Sequence, residues 1–72
     1  MSRADLVDRD GRVVHPEDRV TVIEVNGRAG SKSWMLSLTG VVERIDSGRA
    51  LVRFPGSGGS RLVATKVLRV AA

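Results

Sequence analysis

No cysteine occurs in this chain, so neither a disulfide nor a thiolate zinc site can staple it. A single histidine, His15, cannot build an all-histidine metal site. No stretch approaches the roughly 20 consecutive apolar residues of a membrane helix. The N-terminal MSRADLVDRDGR also lacks the apolar run of a signal peptide, which predicts a cytoplasmic protein. Aromatic residues are scarce, with Trp34 the lone tryptophan. At 72 residues the chain predicts a thinly stabilised unit, because a domain this small buries only about 60% of its unfolded surface. With no staple available, oligomerisation is the remaining route to extra stability.

What is abundant is arginine, which supplies ten of the twelve basic residues and, with frequent Val, Ala and Gly, suggests GC-rich coding DNA. A bacterial or phage source fits that bias. The net charge of +4 and pI of about 11.1 invite an anionic partner, since clustered cations release counterions from phosphate backbones. Eight acidic residues interspersed among them moderate the invitation.

Val, Ile and Leu fall in short runs separated by Gly, Asp, Ser and Pro, without helical spacing, which predicts an all-β chain. DRDG at 8–11 predicts a tight turn with positive φ, hence a hairpin or extended arm over 1–15. Pro16 marks the break before RVTVIEV at 19–25, the expected first strand, with Val20 and Val22 on one face and Thr21, Ile23 and Val25 on the other. WMLSLTGVVERI at 34–45 predicts a long second strand in which Trp34, Leu36 and Leu38 share a face, with a bulge or bend at Gly40. DSGR at 46–49 is a turn into ALVRF, where Ala50, Val52 and Phe54 alternate with Leu51 and Arg53. PGSGG turns again, and RLVATKVLRV divides into two strands around a short turn, completing a small five-stranded barrel over 16–72.

The segments PEDRVTV, GVVERI, ALVRF and RLVATKVLRV together resemble the Src-homology-3-like small barrels of bacteria, including KOW-type domains and small actinobacterial proteins. The resemblance covers about 16–70 and implies a barrel with a long first loop, two tight hairpins and a turn before the last strand. Glu17 stands where the opening motif of those barrels usually has glycine. The fold hosts many unrelated roles, from ribosome and polymerase binding to peptide binding, so function has to be argued from sites.

NGRAGSKSW at 26–34 has the look of a phosphate loop and fails as one. Its glycines are three apart, Ser31 separates Gly30 from Lys32, and a strand rather than a helix is expected to follow. It reads as a hairpin loop, mobile and solvated, with Arg28 and Lys32 available for phosphate contact and Trp34 either a stacking ring or a plug at the loop base. DRDGR fails as a calcium loop, with Val13 at its sixth position and Arg19 at its twelfth. His15 has no placed serine or cysteine to activate, and Glu24 and Glu43 would be an acid–base pair only across a shared cleft. The pore signature by which tetrameric type II dihydrofolate reductases make an enzyme from such a barrel is not evident. The chain therefore predicts no enzyme, no metal and no cofactor.

Two functional readings remain. Leu51 and Leu62 fall out of phase with the inward residues, and with Val41 or Ile23 they predict an apolar patch for a protein partner or a second copy, unless the arm folds over them. Alternatively Arg28, Lys32, Arg44, Arg49, Arg53 and Arg61, with Trp34, predict a surface for DNA or RNA. An arginine- and leucine-bearing strand face suits either partner, because arginine is also enriched in protein interfaces.

Overall fold

The computed structural model describes residues 6–71. Residues 1–5, where the expected arm begins, and residue 72 lie outside the described residues. The chain is all-β: strands β1 (Arg19–Val22), β2 (Thr39–Asp46), β3 (Arg49–Phe54), β4 (Gly59–Val63) and β5 (Leu68–Val70) form one antiparallel sheet in the order β4-β3-β2-β1-β5. Four short 3₁₀ turns, Gly27–Ala29, Ser33–Met35, Gly56–Gly58 and Thr65–Val67, fill the connections.

Alternation sets which side each strand buries. Val20 and Val22, Val42, Ala50, Val52 and Phe54, and Val63 all point inward and are buried, joined by Met35, Val67, Leu68, Val14 and Ala29. Ser47 at φ 52° and Gly48 at φ 80° turn β2 into β3 through a two-residue loop of the type that matches strand twist.

Several expectations shift. β1 ends at Val22 rather than Val25, although Ile23 N–H still donates to Val67 C=O at 2.9 Å. The long second strand does not begin at Trp34. Residues 33–35 turn as a 3₁₀ helix, which sends Met35 inward and leaves Trp34 and Leu36 exposed, the reverse of the expected phase. Ser37, at φ 68°, donates its N–H to Val22 C=O at 2.8 Å and leads the chain into β2. The bulge lies between Val42 and Arg44, not at Gly40. Gly40 serves a different need, because a Cβ there would stand 2.5 Å from Val52 Cγ1 and 2.6 Å from the Arg53 carbonyl oxygen.

Strand pairing does not close the sheet into the expected barrel: among the described residues β4 and β5 are its two edges. The first loop packs on one edge, Ala64 N–H donating to Ala29 C=O at 2.8 Å. At Gly30 (φ 87°) the backbone passes so near that a Cβ would lie 2.5 Å from Leu62 O. The arm covers the other edge. Val7 pairs with Val13 across the DRDG turn, Arg9 N–H donates to Leu68 C=O at 2.9 Å, and Val70 N–H donates to the Asp8 carboxylate at 2.7 Å.

Asp8 holds that arrangement together. Its buried carboxylate also accepts from the N–H groups of Asp10 (2.9 Å) and Arg12 (2.8 Å), so one side chain closes the turn and ties it to β5. Arg69 paired with Asp10 and Arg9 paired with Glu24 flank it.

Candidate interaction surface

The outer face of β2, β3 and β4 carries two cross-strand rows. In the first, Leu51 stands opposite Leu62 on one side and Arg44 on the other; in the second, Arg53 stands between Val41 and Ser60. Successive rows on one face are about 7 Å apart. Leu62 is 41% exposed and Val41 likewise, while Leu51 is half-buried. The described part of the arm runs along β5, at the far edge of the sheet, and does not cover the Leu51–Leu62 pair. Ile23 lies beyond the end of β1, half-buried and tied to Val67, so it is not in either row.

The cations expected to meet phosphate are mostly engaged. Arg53 pairs with Glu43 at 2.5 Å, Arg44 with Asp46 at 3.6 Å, and Arg49 donates to Arg28 C=O at 2.6 Å. Arg61 lies 5.7 Å from the Trp34 ring centroid and donates to Gly58 C=O. Arg28 and Lys32 have no ion-pair partner among the described residues.

Trp34 is 41% exposed and packs edge-on to Phe54, with ring centroids 5.5 Å apart at 75°. It is an exposed lid over Phe54 and Gly58, and Arg61 already occupies part of its face. The loop that leads to it is built, not loose. Asn26 caps the 3₁₀ turn by accepting from Arg28 N–H at 3.0 Å. Ser31, expected in water, is buried, its hydroxyl donating to Glu24 C=O at 2.8 Å and accepting from Asn26 N–H at 2.7 Å.

A search of protein-family models, of curated proteins and of solved structures finds no match to this chain. The surface must therefore be read from its own chemistry.

Glu24 and Glu43 do not share a cleft partner: the first pairs with Arg9 of the arm, the second with Arg53 and the Ser60 hydroxyl on the outer face. The Ser60 hydrogen bond at 2.6 Å, with Arg53 beside it, holds the Glu43 carboxyl below its usual pKa, outweighing some desolvation. The bulge after Val42 is what turns Glu43 toward these partners, a common use of an extra residue in a strand.

Sequence reasoning passed over Glu17 as a surface group. It sits at φ 75°, in the left-handed region, and donates its N–H to Val42 C=O at 2.6 Å. A non-glycine residue there costs about 1 kcal/mol of backbone strain. The one available signal was its occupation of a position where the resembling barrels use glycine. Glu17→Gly is expected to leave the melting temperature unchanged or raise stability by up to about 1 kcal/mol, the relieved strain offset by glycine's greater unfolded freedom. A clear loss in a thermal melt would mean that the Glu17 side chain itself supports the fold.

Proposed function

We propose that this chain is a non-enzymatic protein-interaction module that docks a protein partner, or a second copy, through the outer face centred on Leu51 and Leu62. The observation that carries the reading is their direct pairing on β3 and β4, with Leu62 open to solvent and the described part of the arm lying along β5. Leucines opposed in this way offer a contiguous apolar contact, and such contacts usually mark a binding surface. The engaged arginines around them suit the same role, because guanidiniums already held in place lose less side-chain freedom on docking. The strand order, the long loop between β1 and β2, and the 3₁₀ turn before β5 also support a Src-homology-3-like barrel as the scaffold.

The test is capture from host lysate with and without nuclease, together with solution mass. A protein partner that persists after nuclease and is released by Leu62→Asp supports the reading, with an expected affinity loss of about 30-fold for a central apolar contact. Leu62 is exposed, so Leu62→Asp should cost less than about 1 kcal/mol of stability. Unchanged capture and unchanged mass in both Leu51→Asp and Leu62→Asp would rule this face out.

A nucleic-acid reading rests on Arg28 and Lys32, the two loop cations without ion pairs. It requires oligonucleotide binding that weakens steeply with salt. No binding at low salt removes it.

A further inference from the structure

Beside the leucine pair the outer face opens into a groove of about 380 Å³, lined by Glu17, Val41, Val42, Glu43 and Arg53. Two carboxylates and one guanidinium line it, a lining with one more negative than positive group on a chain whose net charge is +4. Arg53 and Ser60 already bind Glu43, whereas Glu17 has no cationic partner among the described residues. Glu17 lines the groove from a backbone conformation that glycine would adopt more easily. Strain kept in place of a freely available glycine is a reason to look for what the side chain contacts.

We propose that this groove receives a lysine or arginine side chain of the partner protein, its aliphatic stem against Val41 and its charged end between Glu17 and Glu43. The inference rests on the docking reading above and adds the chemistry of a second contact on the same face. An aliphatic-stemmed cation matches both parts of the lining, since such side chains bury their methylenes while the charge stays at the polar rim. The groove row is two residues along β3 from the leucine row, Arg53 against Leu51, so an extended partner segment with an apolar residue and a cation two positions apart spans both.

The test uses the full chain, ¹⁵N-labelled, titrated with acetyl-Ala-Leu-Ala-Lys-Ala-amide and with the same peptide carrying norleucine in place of lysine. The lysine peptide is expected to give saturable amide shifts at Glu17, Val42, Glu43 and Ser60 as well as at Leu51 and Leu62. The norleucine peptide is expected to shift only the leucine row. Glu17→Gln, an exposed isosteric change, should weaken the lysine peptide by about two- to fivefold, as for a surface ion pair, and leave the norleucine response alone. Equal groove shifts from both peptides, or a lysine affinity untouched by Glu17→Gln, would overturn the proposal. So would groove shifts that appear on raising protein concentration without peptide, which would make a second copy the occupant. Shifts confined to Leu51 and Leu62 would remove the groove while leaving the docking face intact.

Discussion

Asp8→Ala is expected to cost about 3 kcal/mol, because it leaves the N–H groups of Asp10, Arg12 and Val70 without their acceptor. A chain of this size has roughly 4–11 kcal/mol of stability in all. The melting temperature should therefore fall by about 15 °C, read by calorimetry. Asp8→Asn should fall between the two, since its amide keeps one acceptor but turns donors toward donors. A loss below about 1 kcal/mol in Asp8→Ala would show that the arm is dispensable.

The same carboxylate gives a pH dependence of defined sign. Burial raises the Asp8 pKa, but the N–H groups of Val70, Arg12 and Asp10, with the Arg12 charge, lower it further, and the net value lies below that of an ordinary aspartate. A depressed folded pKa means stability that is fully present above the ordinary carboxylate range and is lost as pH falls through the folded value. Acid should release the arm from β5 and speed hydrogen exchange at Val70 and Leu68. Asp8→Ala should lack that part of the acid response while keeping the part that Glu43 contributes. Identical pH slopes in the two proteins would remove Asp8 as the titrating latch.

Gly40→Ala is expected to cost about 2–3 kcal/mol or more. The added methyl would meet Val52 Cγ1 at 2.5 Å and the Arg53 carbonyl oxygen at 2.6 Å, and the second of these is backbone of a strand paired on both sides. Gly40 is also paired to Val20 on its other side, so β2 cannot move away from β3 without straining β1. Denaturant melts at constant m-value would measure this. A change within about 0.5 kcal/mol would mean that the sheet yields at this point more easily than a packed core does.

Much of the fold was legible where alternation and turn chemistry act locally. Ala50, Val52 and Phe54 read inward and are buried, and the Ser47-Gly48 step reads as a tight turn and is one. The stretch from Trp34 to Leu38 misled because its apolar alternation imitates a strand. A single 3₁₀ turn rotates that pattern by one residue, so Met35 takes the core position that Trp34 seemed to claim. Gly40 misled for a related reason: glycine in a strand signals either a bulge or a close approach, and only three-dimensional neighbours separate the two.

The candidate site was half legible. The outward phase of Leu51 and Leu62 follows from alternation alone, and their exact opposition follows from register. The groove was hidden, because Glu17, Val41 and Arg53 come from separate parts of the chain and a count of charges does not say which are paired. Twelve basic residues suggested a phosphate surface; Glu43, Asp46, Glu24 and Asp10 each hold one of those arginines.

The latch between Asp8 and Val70 joins residues 62 apart, whereas β2, β3 and β4 are neighbours joined by two short turns. Loop-closure entropy delays the distant contact and favours the local ones. The β2–β3–β4 meander should thus be in place at the folding barrier and the arm should settle afterwards. In that order of events Asp8 governs how long the native state survives: its removal speeds unfolding and leaves the folding rate almost unchanged.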